Sequence, residues 1–163
     1  MPYKGTDDYR CKLKNSVLCM KILVFLSLLP FVLQGCAGTG GKLEIFLEKP
    51  HIEKAVDKYF AAEINRDFKG VYDCLAPSSI YCSTHTYGKY LEQVQGSPVR
   101  IKDYHILTIH DLRENHDKVK YPKIEKFVRV EVDVTMLYHD SNETMEVNQE
   151  FTFIKEGGTW YKG

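Results

Sequence analysis

Four side chains stand where a helix-and-sheet protein with this sequence could do chemistry. Tyr59 and Tyr72 recur at inward helical spacing, His105 follows Tyr104 on a strand-like stretch, and Gln149 falls in phase with Met145, Val147, Phe151 and Phe153, where an apolar residue is expected. A buried amide or phenol must find hydrogen-bond partners. Gln149 is therefore either a core amide bonded to a tyrosine hydroxyl or to backbone, or it lines a small polar pocket with Tyr59 and Tyr72. An amide does not titrate near neutral pH, so such a pocket suits binding better than catalysis. His105 and Tyr59 are the acid-base candidates for a small hydrolase or isomerase. A lone strand histidine is more often structural, because a base also needs substrate geometry, and no catalytic residue is assigned.

Metal chemistry would need three or four converging ligands. The six histidines are not spaced as a set and there is no Cys-x-x-Cys, so neither a metal nor a cofactor is expected. Of the five cysteines, Cys11, Cys19 and Cys36 lie near the N-terminus, which leaves Cys74 and Cys82. These two either close a short disulfide loop around Ala76-Pro77-Ser78 or stand as separate buried thiols, since bridging requires Cα atoms closer than about 7 Å. The one basic cluster, Lys118, Lys120, Lys123 and Lys126 around Tyr121, is diluted by Glu114, Asp117 and Glu125. With 22 basic and 22 acidic side chains overall, the chain has no nucleic-acid footprint. A hydrophobic share of 44% against 27% charged residues is that of a globular domain and not of a disordered chain.

The elements that must position these residues change period halfway along the chain. Lys42 to Glu48 has no assignable pattern, Pro50 suits the first turn of a helix, and Ile52, Ala55, Val56, Tyr59, Phe60 and Ile64 form an apolar helical stripe. Asp67 can cap a second short helix carrying Phe68, Val71, Tyr72 and Leu75. Ile80 to Thr86 reads as irregular, and a third helix runs from about Tyr87 to Val94 before Gly96 and Pro98. From Val99 to Leu112 the chain is strand-like with an uncertain phase, which suggests a bulge. A polar connection follows from Arg113 to Lys126. Val128, Val130, Val132, Val134 and Met136 then alternate strictly with polar residues. After a turn at His139 to Asn142 the chain returns, and Gly157-Gly158 turns it again before Trp160-Tyr161. Helices followed by an antiparallel sheet with one dry face give the class α+β, the helices packed on that face.

Ahead of this domain lies a targeting signal. Lys21 precedes an apolar run from Ile22 to Leu33, interrupted only by Ser27 and Pro30, and then Gln34, Gly35 and Cys36. A run of about 12 residues is too short to cross the hydrocarbon core and matches a secretory signal peptide. Leu33-Gln34-Gly35-Cys36 resembles the lipobox of bacterial lipoproteins, a resemblance that implies cleavage before Cys36 and a diacylglyceryl group on its sulfur. Residues 1–35 are then signal peptide, with Met20 a candidate true start. Residues 36–50 form the lipidated cysteine and a flexible Gly-rich tether, and residues 51–163 a single α+β domain.

The leading amphipathic helix, the Asp67-to-Tyr72 segment, the later short helix, three long strands and the terminal Lys155-Glu156-Gly157-Gly158-Thr159-Trp160 together resemble the nuclear transport factor 2-like, or cystatin-like, superfamily, and within it the small bacterial lipoproteins. This resemblance implies a cone-shaped domain with a curved sheet wrapped around the first helix, often with a pocket at its open end and often dimeric through the sheet. The expected function is a lipid-anchored cell-envelope protein, non-enzymatic, binding a small apolar ligand, a peptide or an envelope partner. The alternative is a small-molecule hydrolase or isomerase with an acid-base residue in the cone. The expected location is the outer membrane facing the periplasm in a two-membrane cell, and otherwise the outer face of the cell membrane.

Overall fold

The computed structural model describes residues 40–163; Cys36 and the whole of the signal segment lie outside the described residues. Helix α1 (Gly40–Ile64) is followed by three short helices, α2 (Phe68–Cys74), α3 (Ile80–Thr84) and α4 (Tyr87–Gln95), and then by strands β1 (Val99–Ile109), β2 (Arg113–Glu114), β3 (Ile124–Tyr138), β4 (Thr144–Glu156) and β5 (Thr159–Lys162). The strands form one curled antiparallel half-barrel sheet in the order β1-β3-β4-β5, with β2 paired to β3 beyond the end of β1. The α+β class and the helices-before-sheet order follow the sequence pattern. Among the described residues no helix is long and apolar enough to cross a membrane.

The strict alternation on β3 sets the core. Val128, Val130, Val132 and Val134 are all fully buried and face Phe153, Phe151, Gln149 and Val147 of β4 across the ladder. On the other side β1 keeps Ile101, Tyr104, Ile106 and Ile109 in the same layer only because its register slips twice, between Ile101 and Asp103 and between Ile106 and Thr108. Each slip adds one residue, which restores the apolar phase and tightens the curl. Ile52, Val56 and Phe60 of α1 then fill the concave face at zero exposure, each burial contributing about 1.5–3 kcal/mol. Phe60 stacks on Tyr104 at 4.5 Å and meets Phe151 edge-on at 5.2 Å.

Two local readings are corrected. The segment expected to be a tether up to Pro50 is helical from Gly40, and Pro50 sits inside α1. Tertiary contacts explain this. Ile45 packs on the core, Glu44 pairs with Lys126, and Glu48 takes bonds from Lys155 and Trp160. An exposed proline removes one backbone hydrogen bond, and these contacts outweigh that loss. Residues 41–163 accordingly cluster as one compact unit. The stretch from Ile80, expected to be irregular, forms the five-residue α3, because Ser79 caps it by accepting from the Cys82 amide at 3.1 Å.

The short helices are tied down at both ends. Asp67 caps α2 by accepting from the Gly70 amide at 2.9 Å, and Thr86 caps α4. Past α2, the Ala76 amide donates to the Lys162 carbonyl at 2.9 Å, and the Ser78 amide and hydroxyl both donate to Glu156. The connection between β2 and β3 is held by the buried Asn115, whose amide nitrogen donates to the carbonyls of Tyr121 and Ile124 at 2.7 and 2.8 Å. Gly157 and Gly158 take φ values of 57° and 76° at the last hairpin, the left-handed region that glycine reaches without steric cost.

Candidate functional site

At the C-terminal end of α1 a cavity of about 370 Å³ opens between the helices and the edge of the sheet. α1 and the turn after it supply Glu63 and Arg66, α2 supplies Phe68, α4 supplies Val94, and Ser97 follows. The sheet wall comes from Val99, Arg100 and Ile101 of β1 and Met136 and Tyr138 of β3, with Ile101 opposite Met136 and Val99 opposite Tyr138. The volume falls in the range of small-ligand sites, in which mostly apolar walls carry a few placed polar groups.

Arg66 owes its position to the way α1 ends. The Asp67 amide donates to the Ala62 carbonyl at 2.9 Å and the Arg66 amide to the Glu63 carbonyl at 3.1 Å, the paired bonds of a Schellman termination. That motif needs a left-handed residue after the cap, usually glycine. Here it is Arg66, with φ of 55°. A non-glycine residue held in this region is strained by about 1 kcal/mol or more, and such strain gathers at functional sites. Its guanidinium lies over the Phe68 ring, 5.4 Å from the centroid.

Glu63 is the carboxyl group of the cavity. Burial pushes its carboxyl above the usual range, opposed by a hydrogen bond from Tyr59, one helical turn earlier. Burial, reinforced by the charge of Glu63, in turn pushes the Tyr59 phenol far up. Tyr59 thus holds its proton beside Glu63. Tyr59 also joins the main core to the second cluster of Ala62, Val71 and Tyr90, so the carboxyl is anchored to two packed layers. Together the cavity offers an apolar body, the Arg66 guanidinium at its mouth, suited to paired contacts with carboxylate or phosphate oxygens, with Arg100 bordering it, and one carboxyl whose neutral form burial favours.

A second cleft of about 320 Å³ lies beside the middle of α1, lined by His51, Lys54, Lys58, Asp73 and Cys74 together with Trp160 and neighbouring β5 residues. A third and shallower depression of about 610 Å³ runs along β2 and β3 past Leu112, Arg113, His116 and Arg129. Arg129 donates to Glu150 at 3.1 Å there, while its Nε is buried without a partner. Among the described residues no three His, Cys, Asp or Glu side chains converge as a metal-binding group.

Of the four residues singled out from sequence, Tyr59 and Tyr72 pack against the same cluster of Ala62, Val71 and Tyr90, His105 and Gln149 do not join them, and none of the four lines these three cavities. Tyr59 is half-buried between two clusters. Tyr72 donates to the His85 carbonyl at 2.9 Å within a cluster that includes Tyr87 and Tyr90. His105 is exposed and pairs in register with Asp133 on the outer face, because the slip before Asp103 points Tyr104 inward instead. Gln149 keeps the inward phase, opposite Val132, and is half-buried. Cys74 and Cys82 are free thiols, Cys74 buried and Cys82 half-buried, and burial raises the Cys74 thiol above its usual range. Glu63, Arg66 and Arg100 were missed. The one signal for them was local: Glu63 is spaced one turn from Tyr59, and Asn65-Arg66-Asp67 ends a long helix with no glycine. No family model and no curated protein sequence matches the chain.

Proposed function

We propose that this chain is a lipid-anchored cell-envelope protein whose domain is of the nuclear transport factor 2-like type and binds a small, largely apolar ligand carrying an anionic head. Support for the domain type comes from α1 lying across the concave face of a curled antiparallel sheet, after which the short helices close one end. The anchor reading rests on the apolar run before Cys36 and the lipobox-like Leu33-to-Cys36 segment. The observation that carries the ligand reading is the cavity itself: Ile101, Met136, Val94 and Phe68 form apolar walls while Arg66 stands at the opening and Arg100 borders it. Arg66 is brought there as the left-handed residue that ends α1.

Native mass spectrometry of the mature protein, extracted from membranes without denaturation, tests this directly. A co-purifying small acid, or binding of added octanoate that falls on the order of 10-fold or more in the Arg66→Ala/Arg100→Ala variant, is the expected result. No bound molecule and equal octanoate binding by both proteins would remove the ligand reading. A second reading is favoured by Glu63 alone, since a carboxyl held up by burial is a competent general acid. It requires turnover of a bound ester or enol that Glu63→Gln abolishes while binding persists.

A further inference from the structure

We propose that the first half of α1 is a membrane-surface contact, lying on the anionic headgroup region of the bilayer that holds Cys36. This rests on the lipid-anchor reading above. Leu43, Phe46 and Leu47 are 62%, 73% and 62% exposed, and Pro50 is exposed beside them. Their spacing of three and four residues makes one stripe along the helix, about 10 Å long at 1.5 Å per residue. The rest of α1 explains why this stripe has no partner among the described residues. Its opposite face is spent on the sheet, with Ile45, Ile52 and Val56 in the core and both acidic residues of the segment, Glu44 and Glu48, tied to Lys126 and Lys155. The outward surface therefore carries apolar groups without free carboxylates over its first turns. Beyond it follow exposed Lys54 and Lys58, which with His51 line the cleft beside α1, while the carboxylates among them are engaged, Glu53 by Lys49 and Asp57 by the Tyr104 hydroxyl at 2.6 Å.

An apolar stripe followed by lysines along one surface of a helix has the chemistry of an interfacial segment, which buries its apolar residues about 5–10 Å into the headgroup boundary and draws anionic lipid to its cations. Reach points to the same occupant. Cys36 precedes Gly40, the first helical residue, by four residues, a span of at most about 14 Å. A lipid on Cys36 therefore keeps Gly40 within that distance of the bilayer, and Leu43, where the stripe begins, within about 19 Å. Because the Glu63–Arg66 cavity lies about 30 Å further along the same helix, docking the stripe fixes how that cavity is presented relative to the membrane.

Phe46→Trp places a reporter on the stripe, and the single native tryptophan, Trp160, is buried at 5% exposure. The mature protein purified from membranes would be reconstituted in vesicles of phosphatidylethanolamine and phosphatidylglycerol with brominated acyl chains. Flotation and intact mass report the anchor, and emission reports the stripe. The expected result is a floating, lipid-bearing protein whose added fluorescence is quenched by roughly half or more. The quenching should be lost in Phe46→Trp combined with Leu43→Glu and Leu47→Glu, which still floats, and weakened when phosphatidylcholine replaces phosphatidylglycerol. A floating, lipid-bearing protein with unquenched added fluorescence would overturn the surface contact and leave the anchor intact. A protein that carries no lipid and does not float would overturn the anchor, and the contact with it.

Discussion

Trp160 donates its indole N–H to Glu48 at 2.9 Å, across a separation of 112 residues. The same carboxylate takes a second bond from Lys155, the register partner of Trp160 on the neighbouring strand. One acid near the start of the long helix thus ties together the last hairpin of the sheet. Glu48 and Lys155 are only 16% and 17% exposed, so neither can turn to water if the other is lost.

Glu48→Ala should therefore cost about 2–3 kcal/mol, the range for hydrogen bonds to a charged group left unmade. Burial alone would raise the Glu48 carboxyl, but the bonds from Lys155 and Trp160 outweigh it and the net shift is downward. A carboxyl whose pKa is depressed on folding stabilises the fold above its unfolded value, and that stability is lost as pH falls through the folded value. Urea melts followed by Trp160 fluorescence should show wild type weakening in the acid range below about 4.5. Glu48→Gln should be weaker at neutral pH and lack that acid-side slope. Equal slopes in the two proteins would show that Glu48 is not the group responsible.

Replacing Arg66 with glycine separates stability from binding. Glycine takes the left-handed conformation freely, so Arg66→Gly should stabilise the domain by up to about 1 kcal/mol. The same change removes a guanidinium from the cavity. Thermal unfolding should move up while octanoate affinity falls. A variant that melted lower would mean that the stacking of Arg66 on Phe68 outweighs the backbone strain.

Gly70 sits in the first turn of α2, where alanine would ordinarily be favoured by about 1 kcal/mol. A Cβ there would collide with the Asp67 carboxylate that caps the helix and come within 3.3 Å of the Ala62 Cβ on α1. Gly70→Ala should instead destabilise by about 1–3 kcal/mol, because the cap is expelled and α2 is pushed off α1. The combined change Asp67→Ala/Gly70→Ala tests the mechanism in a double-mutant cycle. Once the cap is gone, the second substitution should cost less than it does alone.

What was legible in the sequence divides by the range of the interaction that decides it. The alternation from Val128 to Met136 fixes a strand and its buried face, since a period of two leaves no other phase. The Asp67 cap and the paired glycines at 157 and 158 likewise act on their nearest neighbours. Pro50 was misleading because the bonds that keep α1 helical on its N-terminal side come from Lys126, Lys155 and Trp160, far along the chain. His105 was hard to place for a related reason. One extra residue in β1 before Asp103 reverses the phase and a second before Thr108 restores it, and only pairing with β3 says where they fall. The cavity was the least legible part, since Glu63, Arg66 and Arg100 become neighbours only when the end of α1 meets the start of β1.

Glu63 gives the opposite pH signature to Glu48. Its carboxyl is raised on folding, chiefly by burial, so the folded state holds its proton more tightly than the unfolded state does. The linkage then runs the other way: stability is greatest below the unfolded value and declines as pH rises through the folded value, where the buried group must ionise or the chain must open. Glu63→Gln keeps the shape and a donor but cannot ionise. Its stability should be flat where wild type declines, and at pH 8 the variant should be the more stable protein. The pH series of chemical denaturation that reports Glu48 on the acid side reports Glu63 on the other. If anionic ligands enter this cavity, they should also bind wild type better as pH falls toward the range where Glu63 is neutral, because repulsion from its carboxylate is then removed. In Glu63→Gln that pH dependence should vanish while affinity at high pH rises. Titrations with octyl sulfate, whose head group stays anionic throughout, over the same pH series decide it, and an unchanged pH dependence in the variant would place the effect on a group other than Glu63.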